Sequence, residues 1–143
     1  MANTYITMKR RQQKEVDDFP MFAAFSEESL YEGMKEMGLT NTERHKLTSL
    51  GCGVFIRTAD VPAWEAMALR HKRERNEAIL ADKKGTGFIK EMFSYELSNH
   101  EYSFTLDLTD TLDALNLTVE QINASPALKH GLHLAICDQE DCF

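Results

Sequence analysis

The chain has few of the residues that interrupt or cross-link a fold. Its 143 residues include 7 glycines, 3 prolines and 3 cysteines. Long flexible linkers are unexpected, because such linkers are rich in glycine, serine or proline. A length of this order suits a single hydrophobic core. We therefore expect one domain spanning residues 1–143.

Signals for membrane insertion and secretion are missing as well. The sequence contains no run of about 18 apolar residues, which a membrane-spanning helix requires. The stretch from Met1 to Lys14 is polar and lacks the apolar centre of a secretory signal. Three cysteines without such a signal are typical of reduced thiols. The sequence thus predicts a cytoplasmic protein that does not bind membranes.

Familiar catalytic and nucleotide-binding motifs do not occur in the chain. It has no GxGxxG, Walker loop, GxSxG, HExxH or CxxC pattern. No reaction class and no cofactor can be assigned from such motifs. This absence favours a non-enzymatic protein.

The last third of the chain is almost free of positive charge. Residues 91–143 contain one lysine, Lys129, and no arginine against 10 acidic residues, a net charge of −9. Residues 1–90 hold 15 basic and 13 acidic residues, a net of +2. Hydrophobic patterning continues through the acidic third, which indicates a folded surface rather than a disordered tail.

A folded acidic surface repels nucleic acid and attracts basic partners. Our leading interpretation is therefore a protein-interaction module that binds a partner through this surface. The candidate interaction residues are Asp107, Asp110, Asp113 and Glu120.

Helical spacing and capping signals predict a predominantly helical α+β fold with five or six helices. The clearest helix starts are Ser26, which precedes two glutamates, and Asp60, which is followed by Pro62. Apolar runs at 21–25 and 53–57 predict a small two-stranded β element, and residues 39–50 are expected to be a polar connection. The expected core contains Trp64, Phe88, Met92, Phe93 and Leu97.

Nucleic-acid binding is one alternative function. The stretch from Thr111 to Ser125 fits a helix-turn-helix corner, with Asn116 at the turn. Its second helix carries no lysine or arginine, so a plain helical corner is the simpler interpretation. The residues that would contact nucleic acid are Lys9, Arg10, Arg11, Arg70, Arg73, Gln121 and Asn123.

A small metal-binding or enzymatic domain is the other alternative. Zinc favours the ligand types found near the C-terminus, although their spacing is not the familiar paired form and a solvated tail also fits. The candidate ligands are His130, His133, Cys137 and Cys142. The pairs Glu96–His100 and His71–Glu74 also lie at helical spacing, where a histidine is most often satisfied by its neighbours.

A homodimer is a further expectation about partners. Tyr31, Met34 and Met37 share one helix, and soft side chains of this kind suit an interface. The simpler interpretation is that these residues fill the core of a monomer, and a homodimer is the alternative.

Four segments carry a resemblance to known sequences. They are FAAFSEESLYEGMKEMGL at 22–39, GVFIR at 53–57, GFIKEMFSYELSNHEY at 87–102 and DLTDTLDALNLTVEQI at 107–122. Together they resemble a family of short uncharacterised proteins seen in gut Firmicutes and their mobile elements. The resemblance implies a bacterial or phage origin in the cytoplasm, and it implies no activity.

Overall fold

The computed structural model of the protein describes residues 4–140, except for the side chain of Phe104. Its long helices are α1 (Tyr5–Asp17), α2 (Glu27–Glu36), α3 (Val61–Ala81), α4 (Phe88–Asn99) and α8 (Pro126–Glu140). The short helices are α5 (Tyr102–Thr105), α6 (Thr109–Leu115) and α7 (Val119–Asn123). The strands are β1 (Phe22–Ala23), β2 (Leu47–Gly51) and β3 (Val54–Arg57). The predicted helical α+β class is confirmed, with more helices than the five or six expected.

The chain divides into two compact units. The β unit is Lys14–Lys72, and the helical unit combines the chain up to Gln13 with the chain from Arg73 onward. The boundaries fall inside α1 and α3. The single-domain expectation stays a prediction.

A three-stranded antiparallel sheet forms the centre of the β unit, in the order β1-β3-β2. Phe22 lies opposite Phe55, so the predicted pairing of the two apolar runs is correct. The expectation of two strands was wrong, because β2 adds a third within the segment expected to be a polar connection. Its sequence, LTSLG, has weak strand character, and pairing with β3 decides its conformation.

Helix α2 begins as predicted and packs against this sheet. The Ser26 side chain accepts a hydrogen bond from the Ser29 backbone N–H, and the Ser29 side chain accepts one from the Ser26 backbone N–H, forming a capping box. Gly33 permits the close approach, since a Cβ there would lie 2.1 Å from the Phe22 ring. Met34 is fully buried, so it belongs to the core and is wrong as a dimer-interface candidate.

Trp64 also differs from its expected position. It lies in the β unit and packs edge-on against Phe19, with ring centroids 5.1 Å apart. The sequence had placed it in one core with Phe93, which belongs to the helical unit. Helical periodicity predicted that Trp64 faces inward, but periodicity does not identify the partner.

The helical unit is organised around α4. Met92, Phe93 and Leu97 on this helix are fully buried, as predicted. Helix α8 packs closely against α4 and against the turn at Gly85, where a Cβ would lie 2.0 Å from the Ala127 carbonyl oxygen. The rest of this core consists of Tyr5, Met8, Ile89, Tyr102, Leu112, Leu115, Ile122, Leu128, Leu132 and Ala135.

The corner between α6 and α7 has the predicted turn chemistry. Asn116 follows α6 in the left-handed conformation, with φ of 54°. Thr118 caps α7, and Gln121 completes a capping box. Within residues 4–140, no helix has the length and apolarity needed to cross a bilayer.

Candidate interaction surface

The four predicted acidic residues lie on α6, on α7 and at the approach to α6. Asp107 precedes α6, and Asp110 and Asp113 lie on it; Glu120 is in the first turn of α7. All four are exposed. The positive end of a helix dipole favours the carboxylates of Asp110 and Glu120 in these first turns. We call these four residues the acidic surface.

Asp107 also stabilises the backbone before α6. Its Oδ1 accepts a hydrogen bond from the Thr109 backbone N–H at 2.9 Å. This bond favours the ionised carboxylate and lowers the pKa of Asp107 below its usual value. Asp107 therefore remains negatively charged throughout the neutral pH range.

Within residues 4–140, the carboxylates of the acidic surface are not paired with bases. Across the described part of the chain, no lysine, arginine or histidine nitrogen lies within 4 Å of them. Other carboxylates of the protein are paired, such as Asp138, which lies 3.2 Å from the Lys90 ammonium. The acidic surface thus keeps its full charge available to a partner.

An open groove of about 260 Å³ lies between α8 and the α6–α7 corner. Asn123, Lys129 and His133 contribute polar atoms to it. Its apolar lining consists of Leu108, Leu112, Val119, Ile122, Leu132 and Ile136. Sequence reasoning missed this groove, although Leu132 and Ile136 are four residues apart on α8 and gave a usable signal.

Several of the predicted nucleic-acid contacts are engaged by acids of the protein. Arg11 pairs with Glu74. Arg70 Nη1 donates to Glu15 Oε1 at 2.9 Å, and this guanidinium, with His71, lowers the pKa of Glu15 to about 2. Such pairing reduces the charge that these arginines offer to phosphate.

The remaining nucleic-acid candidates are placed as follows. Arg10 and Arg73 are exposed. Gln121 Oε1 accepts the Thr118 backbone N–H at 2.8 Å, so this amide oxygen serves as a cap. Asn123 lines the groove. The structure therefore contains the predicted corner, while nucleic-acid reading by it stays a prediction.

Polar side chains surround the buried carboxylate of Glu96 in the helical unit. The Tyr5 hydroxyl donates to Glu96 Oε1 at 2.6 Å, and Lys9 Nζ lies 3.2 Å from the same oxygen. His100 Nε2 lies 3.4 Å from Oε2. Burial of the Tyr5 hydroxyl, together with its hydrogen bond to Glu96, raises the pKa of Tyr5 well above its usual range. We call these residues the Glu96 cluster.

The Glu96 cluster has the composition of a catalytic site but is closed. Glu96 is 1% exposed, which excludes a substrate from its carboxylate. Sequence reasoning paired it with His100 but missed Tyr5 and Lys9, because both lie some 90 residues away on α1. The arrangement fits attachment of α1 to α4.

A model of the family described as "Family of unknown function (DUF7659)" matches residues 4–138. The chain belongs to this family. The match includes the acidic surface and the groove. No curated protein and no solved structure matches the chain.

The predicted zinc ligands lie partly outside the family match. Cys142 is beyond residue 138, where the DUF7659 match ends, and it lies outside the described residues. His133 Nε2 lies 3.7 Å from Cys137 Sγ, while His130 Nδ1 lies 2.8 Å from the Lys84 carbonyl oxygen. Within residues 4–140, no group of three or more His, Cys, Asp or Glu side chains is arranged to hold a metal ion. Zinc binding stays a prediction.

The second histidine pair predicted from helical spacing has different partners. His71 Nε2 lies 3.0 Å from Glu15 Oε1 on α1. Glu74 accepts a hydrogen bond from Gln12 Nε2 at 3.1 Å and pairs with Arg11. These contacts satisfy the side chains, as expected for residues on a partly buried helix face.

Proposed function

We propose that this protein is a non-enzymatic interaction module that binds a basic surface of a partner protein through its acidic surface. One observation carries the proposal: four exposed carboxylates lie on α6, on α7 and just before α6, and none is paired with a described base. Unpaired carboxylates attract a basic partner without first breaking an internal ion pair.

The support beneath the acidic surface favours a preformed binding site. Leu112 and Leu115 of α6 and Ile122 of α7 are buried in the core of the helical unit. The backbone that carries the carboxylates is therefore fixed before a partner arrives, and binding costs little ordering entropy. Because the charges are exposed, we expect salt to weaken binding mainly by slowing association.

Nucleic acid is the less favoured partner. Phosphates would meet a C-terminal third with a net charge of −9, and Arg11 and Arg70 are already paired with glutamates. A bacterial or phage origin and a cytoplasmic location belong to this proposal as well. Both depend on the resemblance and the composition, not on the fold.

Co-purification with matched variants tests the proposal. The tagged chain is expressed in a bacterial host, purified at low salt with and without nuclease, and compared with D110N/D113N/E120Q. The control is E28Q/E32Q/E36Q, which removes the same number of exposed carboxylates from α2 of the β unit.

The expected result is a stoichiometric protein partner that is released by salt, lost from the first variant and retained by the control. Equal retention by both variants would overturn the proposal. A nuclease-sensitive component would support the nucleic-acid alternative instead.

A further inference from the structure

We infer that the groove beside the acidic surface receives the apolar face of a short basic amphipathic helix from the partner protein. This inference rests on the proposed function and names the structural form of its partner. It depends on the apolar groove and the uneven distribution of charge around it.

The groove has a rigid apolar floor and an exposed apolar rim. Leu112, Ile122 and Leu132 line it and belong to the core, so its floor is part of the folded unit. Val119 is 57% exposed at the first position of α7. When a ligand covers an exposed apolar side chain at the edge of an apolar groove, the removal of its surface from water favours binding.

The lining of the groove suits the apolar face of a peptide. The groove is open, has a volume of about 260 Å³ and is lined mainly by aliphatic side chains. Residues on or next to three helices line it, and none of the lining residues lies on a strand, so the groove itself offers no strand edge for β-augmentation. A helix that inserts side chains at spacings i, i+4 and i+7 fits such a site.

Three exposed acidic residues flank lining residues of the groove in sequence and favour a basic ligand. Asp107, Asp113 and Glu120 are each adjacent in sequence to a lining residue, namely Leu108, Leu112 and Val119. The α8 side carries Lys129, the only lysine or arginine in residues 91–143. A bound helix would therefore direct its lysines or arginines toward α6 and α7.

Two synthetic peptides test the inference on the full chain. The first is a fluorescein-labelled helix with leucines at i, i+4 and i+7 and lysines elsewhere. The second has the same composition in a scrambled order that cannot form an apolar face.

Fluorescence anisotropy gives the Kd of each peptide for the protein, for Val119→Ser and for the control Leu69→Ser. Leu69 is 58% exposed and lies on α3 within the β unit, which makes it a close match for exposure.

We expect Val119→Ser to weaken binding of the amphipathic peptide by about fivefold, since part of the buried apolar surface is lost. The same variant should leave the scrambled peptide unchanged, and Leu69→Ser should affect neither. A nitroxide on the amphipathic peptide should broaden the amide resonances of Val119 and Leu132. Val119 is exposed, so its substitution should leave the melting temperature unchanged.

The outcomes separate the groove from the acidic surface. If Val119→Ser leaves the amphipathic peptide unaffected while D110N/D113N/E120Q weakens both peptides, the groove inference is overturned and the acidic surface stands. If the acidic variant weakens neither peptide but Val119→Ser weakens the amphipathic one, the groove is supported and the proposed function fails. Equal binding of both peptides to every variant overturns both.

Discussion

The Glu96 cluster and the acidic surface place carboxylates in opposite environments within one unit. Glu96 is 1% exposed and lies within 3.4 Å of Tyr5, Lys9 and His100. Asp110 and Asp113 are exposed and are not paired with described bases. A carboxylate therefore links helices α1 and α4 in the Glu96 cluster, whereas the carboxylates of the acidic surface face water.

This difference separates stability from binding. A buried carboxylate in a hydrogen-bonded cluster is costly to disturb, because its partners are left without an acceptor. An exposed carboxylate contributes little to folding and much to the attraction of a basic partner. Three experiments can break or sharpen the comparison.

The largest effect is expected for Glu96→Ala. Removal of this carboxylate leaves the Tyr5 hydroxyl buried without an acceptor, whereas Lys9, whose side chain is 40% exposed, can turn toward water. We expect the free energy of unfolding to fall by about 3 kcal/mol. Urea denaturation followed by circular dichroism measures it.

The matched control is Asp113→Ala, on the exposed side of α6. Its free energy of unfolding should stay within about 0.5 kcal/mol of the unmodified protein. Similar losses for both variants would show that the two carboxylates do not differ as the structure indicates.

A smaller loss is expected for Tyr5→Phe. This change removes only the hydroxyl that donates to Glu96 and keeps the edge-on contact with the Phe88 ring at 5.6 Å. Hydrogen bonds to charged groups contribute about 1.5–3 kcal/mol, and we expect a loss in that range. In Tyr31→Phe, an exposed bond to Glu27 at 2.9 Å is lost, and we expect a smaller cost because water replaces it. Thermal unfolding compares the stability of the two variants. A larger loss of stability in Tyr31→Phe than in Tyr5→Phe would contradict the stabilising role assigned to the buried Tyr5–Glu96 hydrogen bond.

The smallest effect concerns the acid dependence of Asp107. Because its pKa is lower in the folded than in the unfolded state, its charge stabilises the fold above the unfolded pKa, and that contribution is lost as pH falls through the folded pKa. Asp107→Asn keeps an oxygen that can accept the Thr109 N–H but carries no charge. We therefore expect the stability difference between the two proteins to be constant near neutral pH and to shrink as pH falls below the unfolded pKa of an aspartate, about 4. Urea titrations from neutral pH to below this pKa measure it, and a difference that stays constant below this pKa would contradict the assigned bond.

Local features were predictable because their hydrogen bonds close within a few residues. Ser26 and Thr118 cap helices through the third residue along, and Asn116 adopts the left-handed turn that its type tolerates. Strand β2 was missed because its conformation depends on pairing with β3. The break between α4 and α5 was missed as well, and there Glu101 takes a left-handed conformation. Neither feature is marked by residues of strong propensity.

By itself, the sequence determined the helical class, the helix starts next to Ser26 and Asp60, and the acidic character of the last third. These properties depend on composition, periodicity and short-range hydrogen bonding, and all three are read along the chain. Only the tertiary structure decided which carboxylates face water. Glu96 is buried because Tyr5 reaches it across 91 positions, and the groove exists because α8 packs against a corner formed by other helices. Burial and cavities arise from contacts between distant segments, which no local pattern encodes.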